Sequence, residues 1–216
     1  MKEDIVLVGA GGHCLACIDV IEQTGAFRIA GLIDTPQRLG DRLLGYPILA
    51  TDADLPTLAG KGQAFLVTIG QIKSGLRRRE ILNLLLGAGG KLPVIVSPLA
   101  YVSRHSEIGK GTIVMHGATI NAGAQIGCNC IINSQALVEH GAKIGDHCHI
   151  ATGAIVNGEA KVGDGSFIGS MAMLREGISV GEQTIVGGGV TALRNIPPHT
   201  QVTLVEPYAS KNLHNR

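Results

Sequence analysis

A short glycine-rich segment near the N-terminus has the residue types of a phosphate-binding loop. Gly9-Ala10-Gly11-Gly12-His13 follows an apolar run at residues 5–8 and precedes an amphipathic stretch at 14–23. Glycines let backbone N–H groups approach a phosphate at the N-terminus of a helix. Asp34 ends the next apolar run, where a carboxylate can accept hydrogen bonds from a ribose or a base. The pattern predicts a nucleotide-type site.

The same segment departs from the full dinucleotide fingerprint. Cys14 stands where the third glycine of G-x-G-x-x-G would be, and the segment before residue 96 is small for the doubled sheet of a dinucleotide fold. We therefore favour a mononucleotide-type ligand, such as a nucleotide-linked sugar, over NAD. A purely structural tight turn is the alternative for the loop, and a capping or surface carboxylate is the alternative for Asp34.

The histidines are the side chains that could move a proton near neutral pH. His140 comes two positions after the aliphatic Val138, which places it on the surface of the repeat described below rather than in its core. His149 follows Cys148, and we expect it at a turn, with its side chain in a groove. For both histidines an ordinary surface position is the alternative. The remaining candidates, His105 and His116, lie in no motif and are interpreted as surface residues.

The cysteines do not predict a metal site or a disulfide framework. Their number is odd, at five. His147 and His149 flank Cys148, but this spacing does not match a usual zinc signature. We interpret Cys130 and Cys148 as core filler, and the C-x-x-C of Cys14 and Cys17 as helix packing.

The second half of the chain must position the histidines, and it carries a strict six-residue repeat. Fifteen consecutive units from residue 102 to residue 191 have an aliphatic residue at the same place, and a small residue usually follows four positions later. Such a repeat predicts a parallel β-helix in which three units close one triangular coil. The aliphatic positions are Val102, Ile108, Val114, Ile120, Ile126, Ile132, Val138, Ile144, Ile150, Val156, Val162, Ile168, Leu174, Val180 and Val186.

The first half alternates short apolar runs with amphipathic stretches. Strands are predicted at 5–8, 29–33, 64–69 and 91–96, and helices at 14–23, 52–58 and 74–86. This order is typical of a small parallel α/β sheet. We therefore divide the chain into a Rossmann-like α/β domain at 1–95, a β-helix at 96–200 and a C-terminal tail at 201–216. Arg77-Arg78-Arg79 is interpreted as a solvated helix face, although it could meet a phosphate.

Composition limits the classes of function. The chain has 216 residues, 3% aromatic residues and a formal net charge of +1. The scarcity of large rings suits a narrow coil interior, and the charge leaves no bulk electrostatic attraction for nucleic acid or anionic membrane. Neither a signal peptide nor an apolar run of membrane-spanning length is visible, so we expect a cytoplasmic protein.

Five segments together resemble a known family. They are Gly9-Ala10-Gly11-Gly12-His13, Gly31-Leu32-Ile33-Asp34, Thr68-Ile69-Gly70, Ile131-Ile132-Asn133 and Val138-Glu139-His140. With the hexapeptide repeat, they look like the bacterial sugar O/N-acetyltransferases of the NeuD/PglD type, over roughly residues 4 to 200. The resemblance implies a left-handed β-helix and a homotrimer that uses acetyl-CoA and no metal. It implies acetylation of the 4-amino group of a nucleotide-linked dideoxy sugar, or of a sialic acid hydroxyl, for surface or glycoprotein glycans.

The resemblance also assigns roles to individual positions. It makes His140 the general base, a role that a neutral imidazole can fill at physiological pH, and Asn133 a supporting residue. The coenzyme positions are His149, Gly158 and Gly188. The positions for the nucleotide-linked sugar are Gly11, Gly12, His13, Asp34, Thr35 and Gly70.

Two departures from the family pattern keep other functions open. Family members often have an acidic residue directly after the catalytic histidine, and here that residue is Gly141; Glu139 is a possible substitute. The usual Gly-x-Pro-Ala ending reads Leu-Val-Glu-Pro-Tyr-Ala at 204–209. The alternatives are a sialic acid O-acetyltransferase, a non-catalytic trimeric binding protein and a β-helical carbonic anhydrase with a three-histidine zinc site.

Overall fold

The computed structural model describes residues 2–204, and their first part forms a five-stranded sheet with helices on both sides. The strand order is β3-β4-β2-β1-β5, parallel except for the β3–β4 hairpin. Its elements are β1 (Glu3–Val8), α1 (Gly12–Thr24), β2 (Phe27–Ile33), β3 (Arg42–Leu43), β4 (Tyr46–Ala50), α2 (Leu55–Ala59), β5 (Ala64–Val67) and α3 (Leu76–Gly87).

Both faces of this sheet are covered, which explains the unbroken apolar run in β1. Ile5 and Leu7 pack with α1, whereas Val6 and Val8 pack with α2 and α3. Cys14 and Cys17 lie fully buried on the inner side of α1, so the interpretation of the C-x-x-C as helix packing is confirmed.

Two local predictions for this region need correction. The strand predicted at 91–96 is wrong: Lys91 makes one bridge to Ala64, and β6 (Ile95–Val96) pairs instead with the β-helix. Pro93, between the two, has no N–H to donate to a ladder. The β3–β4 hairpin was not predicted, and its turn at Leu44 and Gly45 has φ values of 47° and 85°. Such a turn favours glycine or asparagine, so Leu44 gave no signal.

The repeat forms three parallel sheets, each one side of a triangular prism. We call them the docked face, which the α/β domain covers, the apolar face and the polar face, the last two after their outward side chains. The docked face contains β6, β9 (Ile113–Val114), β12 (Ile131–Ile132), β15 (His149–Ile150), β18 (Phe167–Ile168), β21 (Ile185–Val186) and β23 (Gln201–Val202). The apolar face contains β7 (Tyr101–Val102), β10 (Thr119–Ile120), β13 (Leu137–Val138), β16 (Ile155–Val156), β19 (Met173–Leu174) and β22 (Thr191–Ala192). The polar face contains β8 (Glu107–Ile108), β11 (Gln125–Ile126), β14 (Lys143–Ile144), β17 (Lys161–Val162) and β20 (Ser179–Val180).

Strand pairing confirms the predicted coil. Thr119 pairs with Leu137 and Leu137 pairs with Ile155, so each strand of the repeat meets the strand eighteen residues further on. The aliphatic residue of each unit points inward, and Cys130 and Cys148 fill inner corners as predicted. Burying one such aliphatic side chain contributes about 1.5–3 kcal/mol, so the repeat itself stabilises the prism. The fold is a left-handed parallel β-helix behind an α/β domain, as the family resemblance implied.

The outward residues distinguish the three faces. The docked face is covered by the α/β domain, because Ile113 and Ile131 are buried against α1. The apolar face presents Leu137, Ile155 and Met173, all partly exposed. The polar face presents Glu107, Gln125, Lys143, Lys161 and Ser179. No helix within residues 2–204 is long and apolar enough to span a membrane.

Candidate functional site

The glycine-rich loop joins β1 to α1 and presents open backbone at the start of a helix. Gly9 has φ 103°, its N–H donates to the Ile33 carbonyl at 2.8 Å, and a Cβ there would overlap the Ile69 side chain. Gly11 and Gly12 are exposed, and the space where their Cβ atoms would lie is empty for 4 Å. No side chain caps α1. The first N–H groups of this helix can therefore receive an anionic ligand.

Asp34 holds the loop in this shape. Its Oδ2 accepts a hydrogen bond from the Ala10 N–H at 2.6 Å, and its Oδ1 accepts one from the Thr35 N–H at 2.7 Å. Arg38 donates from Nη1 to the Ala10 carbonyl at 2.8 Å and lies 3.3 Å from the Asp34 carboxylate. The carboxylate of Asp34 thus accepts hydrogen bonds from the protein's own backbone. It keeps lone pairs for a ribose hydroxyl, and Thr35 is exposed beside it.

His13, in the first turn of α1, points from the loop toward the β-helix. Its Nε2 lies 3.3 Å from Cys17 Sγ. Burial, together with the charge of Arg78, lowers the pKa of His13 to about 3, and burial raises the pKa of the Cys17 thiol. The protonated thiol is therefore the donor and His13 Nε2 the acceptor, which leaves Nδ1–H as the free donor of His13. Gly70 lies against its side chain, with 3.5 Å between the Gly70 Cβ position and the His13 Cβ.

His149 lies on strand β15, so its predicted turn position is wrong. Odd-numbered residues of the docked-face strands point outward, and the side chain is buried beneath the α/β domain at 8% exposure. Its ring centroid is 6.3 Å from that of His13 and 5.2 Å from that of Phe167, the latter edge to face. Sequence reasoning missed this contact because it did not predict which face the α/β domain covers.

The hydrogen bonds of His149 set its protonation. Nδ1 lies 2.6 Å from the Gln71 carbonyl oxygen, which can only accept, so Nδ1 carries the proton. Nε2 then accepts from the Asn133 side-chain amide at 3.0 Å. Burial lowers the pKa of His149 to about 4, against the opposing effect of the Gln71 carbonyl. His149 is neutral at physiological pH, and both of its nitrogens are engaged.

His140 lies elsewhere, on the corner where the apolar face meets the polar face. It is exposed, and its ring packs over Gly158, where a Cβ would come within 2.6 Å of the imidazole Cε1. Glu139 does not orient the ring: its Oε2 accepts from the Asn121 amide at 2.8 Å and from the His140 backbone N–H at 3.2 Å. Within residues 2–204 no side chain hydrogen-bonds to the ring of His140.

The structure thus separates the candidate residues into two groups. His13, Gly70, Asn133 and His149 meet between the α/β domain and the β-helix. His140 and Gly158 share the apolar–polar edge, which comprises residues 139–142 and their equivalents every eighteen residues. The docked–apolar edge, which comprises residues 133–136 and their equivalents, carries Asn133 and Gly188.

Several residues around the site were not predicted. Gln71 and Phe167 contact His149, and neither belongs to a motif. Cys17 had a signal, since it lies four residues after His13 on one helix face. His116 is not a plain surface residue, because it bridges Asp19 at 2.8 Å and Ser97 at 2.6 Å. The divergent ending at 204–209 lies outside the described residues from 205 onward.

Side chains that could ligate a metal form no cluster in the part of the chain described. Between residues 2 and 204, no three or more His, Cys, Asp or Glu side chains are grouped so that they could hold a metal ion.

Comparison with protein families gives three matches along the chain. Residues 4–85 match the PglD N-terminal domain. Residues 123–158 match the bacterial transferase hexapeptide with six repeats, and residues 160–192 match the hexapeptide repeat of succinyl-transferase. No curated protein sequence matches the chain significantly.

Two solved structures are similar to this chain over nearly its whole length. PerB from Caulobacter crescentus, in complex with CoA and GDP-perosamine, is 30% identical, with 93% of this chain and 94% of that chain covered and a TM-score of 0.85. The acetyltransferase domain of PglB from Neisseria gonorrhoeae, in complex with acetyl coenzyme A, is 27% identical, with 93% and 96% covered and a TM-score of 0.85.

Proposed function

The chain belongs to the hexapeptide-repeat acetyltransferases that carry a PglD-type N-terminal domain, and we propose that it acetylates the 4-amino group of a nucleotide-linked amino-dideoxy sugar. The acetyl donor is acetyl-CoA, which PglB binds, and the GDP-perosamine bound to PerB supports this class of acceptor. The product serves surface-glycan or glycoprotein-glycan biosynthesis.

One observation supports this function most directly. The loop expected to bind the nucleotide ends at His13, and His13 lies 6.3 Å, ring to ring, from His149 on the β-helix. Asn133 and Gly70 complete the same cluster. A nucleotide on the α1 N-terminus would therefore direct its sugar toward Asn133 and His149, and the α/β domain would present the acceptor to the transferase domain.

His140 is the general base in the mechanism we propose. The neutral amine of the sugar attacks the thioester carbon of acetyl-CoA and passes its proton to His140. The tetrahedral oxyanion needs N–H donors, which backbone groups at the coil turns can supply. Collapse of this intermediate breaks the carbon–sulfur bond and releases CoA, which takes up a proton. His149 is unsuited to be the base because both nitrogens are engaged, and it remains a candidate for coenzyme contact together with Gly158 and Gly188.

A homotrimer would join the two groups of residues. The docked face is covered and the polar face is charged, which leaves the apolar face with Leu137, Ile155 and Met173 for self-association. This face is flanked by the edge with Asn133 and Gly188 on one side and the edge with His140 and Gly158 on the other. Threefold packing of apolar faces would place His140 of one copy beside Asn133 of the next.

A thiol-release assay tests the function. Acetyl-CoA is incubated with UDP-, GDP- and dTDP-linked 4-amino sugars and, separately, with sialic acid. We expect release with at least one nucleotide-linked 4-amino sugar and none with its 4-hydroxy counterpart. Release with sialic acid alone would replace the proposal by O-acetylation. No release, together with no heat of acetyl-CoA binding at millimolar concentration, would favour a binding protein.

A further inference from the structure

Arg78 is the middle residue of three consecutive arginines on α3, and the prediction that it faces solvent is wrong. Its side chain is 1% exposed and is the largest buried one in the described chain. Arg77 follows the prediction and pairs with Glu80 at the surface. Because a helix turns about 100° per residue, neighbouring arginines face different directions, and Arg78 is the one of the three that is buried.

The guanidinium of Arg78 joins the two domains through neutral oxygens. Nη1 donates to the carbonyls of Val67 at 3.1 Å and Ile69 at 2.6 Å, within the α/β domain. Nη2 donates across the boundary to the Asn129 carbonyl at 2.7 Å and to Asn129 Oδ1 at 2.9 Å. The side-chain amide of Asn129 in turn donates a hydrogen bond to the Arg78 carbonyl at 3.1 Å. A planar fork with several fixed donors can reach four oxygens at once, whereas a lysine cannot.

Burying a charged guanidinium without a carboxylate partner at the boundary between the two domains is energetically unfavourable. No acidic side chain meets Arg78 among its hydrogen bonds, and its Nε is buried without a partner. Well-packed apolar residues often stabilise such a place as well or better. Directional hydrogen bonds, in contrast, hold the joined segments in one register. This pattern favours a positional role over a merely stabilising one.

The segment that Arg78 holds is the one that carries Gly70. Arg78 fixes the backbone on both sides of Thr68, and the Thr68 hydroxyl donates to the Gly9 carbonyl of the glycine-rich loop at 2.6 Å. At the other end, Gln71 accepts from His149 and donates from Nε2 to the Gly165 carbonyl at 3.0 Å. Segment 67–71 is therefore bound to the loop, to Arg78 and to His149.

We propose that Arg78 is a positioning residue that sets the placement of segment 67–71, and with it the glycine-rich loop, relative to His149 and Asn133. The expected effect on turnover rests on the proposed function, whereas the expected effect on the placement of segment 67–71 does not. Loss of the Arg78–Asn129 link would let the α/β domain shift on the coil. The glycine-rich loop and the residues that receive the sugar would then no longer be held in one arrangement, and the nucleotide-linked sugar would bind more weakly. Gly158 and Gly188, the candidate coenzyme positions on the edges of the prism, lie outside segment 67–71.

Two variants with one matched control test this role. Asn129 has φ 53°, so Asn129→Gly removes the side-chain link without straining the backbone. Gln183 has φ 49° at an equivalent turn and is exposed, so Gln183→Gly is the control for the backbone change. Arg78→Lys keeps the charge but removes the fork. Circular dichroism and thermal melting establish that each variant is folded before it is compared.

The first readout is hydrogen exchange of the backbone amides of segment 67–71 in the full-length protein without ligands. We expect exchange at least about tenfold faster in Asn129→Gly and in Arg78→Lys, and unchanged in Gln183→Gly. The second readout is steady-state kinetics. We expect KM for the nucleotide-linked sugar to rise about tenfold, which corresponds to about 1.4 kcal/mol, and KM for acetyl-CoA to stay within about twofold.

Each outcome decides the proposal. Unchanged exchange in folded Asn129→Gly would overturn it, even if Arg78→Lys fails to fold. Faster exchange with both KM values raised equally would show general loosening and also overturn it. If the wild-type protein transfers acetyl to none of the sugars, the proposed function fails, and the exchange experiment still tests the placement of segment 67–71.

Discussion

At the scale of single residues, the two histidines of greatest interest have opposite surroundings. His149 is enclosed and has a partner on each nitrogen, whereas His140 is exposed and its ring packs over Gly158. An imidazole with a free nitrogen can exchange protons with substrate and then with water, which is what a general base must do in each turnover.

Replacement of His140 tests its assignment as the base. We expect His140→Ala to keep the oligomer and the melting temperature, because the side chain is exposed, and to lower kcat by at least about a hundredfold. The measurement is initial rate under saturating acetyl-CoA and sugar. His105→Ala, at another exposed histidine, is the control. Activity retained in His140→Ala would remove His140 from the mechanism.

Gly158 offers a subtler test of the same ring. In Gly158→Ala the new methyl group would lie 2.6 Å from His140 Cε1 and 2.8 Å from Nε2, so the ring must move. We expect kcat to fall between about tenfold and a hundredfold, because displacements near 1 Å have effects of that size. Gly87→Ala, where a Cβ would meet nothing within 4 Å, should leave kcat unchanged. Equal rates in the two variants would mean that the ring position is immaterial.

At the scale of elements, the contact between segment 67–71 and β15 makes stability depend on pH. The pKa of His149 is about 4 in the folded protein because of burial, below the ordinary value of 6.5 for an unfolded chain. Between these values the unfolded state binds a proton that the folded state does not. The free energy of unfolding should therefore fall as pH drops from 6.5 toward 4, by at most about 1.4 kcal/mol per pH unit.

Denaturant unfolding between pH 7 and 4.5 measures this dependence. We expect the change in the free energy of unfolding per pH unit to be smaller in His149→Gln, by up to the contribution of one proton. In the exposed variant His105→Gln it should be the same as in the wild type. His13, whose folded pKa is about 3, contributes in the same direction and should keep part of the slope in His149→Gln. Identical slopes in His149→Gln and the wild type would contradict the burial of a neutral imidazole at this position.

The elements also show what sequence reasoning could and could not predict. The repeat alone placed the inward residues correctly, since a β-helix has one dominant period and Val138 or Ile150 must continue it. It could not say which face the α/β domain would cover, and so His149 was predicted at a turn with its side chain in a groove, and Arg78 on a solvated helix face. Their burial depends on contacts with Gln71 and Asn129, far away in sequence, and no local pattern reports such contacts.

At the scale of the whole molecule, the proposed trimer divides one site between two copies. If His140 of one copy works beside Asn133 of the next, His140→Ala and Asn133→Ala should each be nearly inactive alone. Co-expressed in equal amounts, they should recover roughly a quarter of wild-type activity, because one interface in four then joins an intact His140 to an intact Asn133 in a random closed ring.

Purified mixed oligomers, assayed at equal protein concentration, give this measurement. The His140→Ala protein carrying an additional Asn133→Ala change, co-expressed with either single variant, is the control and should recover nothing. No recovery from the two single variants, in oligomers shown by mass to be mixed, would place both residues in a site within one copy.

The eighteen-residue register described for the three faces has a consequence for how such chains can diverge. Within the prism, each coil touches only the coil before it and the coil after it, so the prism changes length in whole steps, each about 4.8 Å. An insertion of any other size would rotate every later residue onto a different side of the prism. The apolar–polar edge with His140 and the docked–apolar edge with Asn133 therefore keep their angular separation when a related chain gains or loses whole coils beyond them. The length of prism available to a long coenzyme can then vary while these two side chains keep their positions.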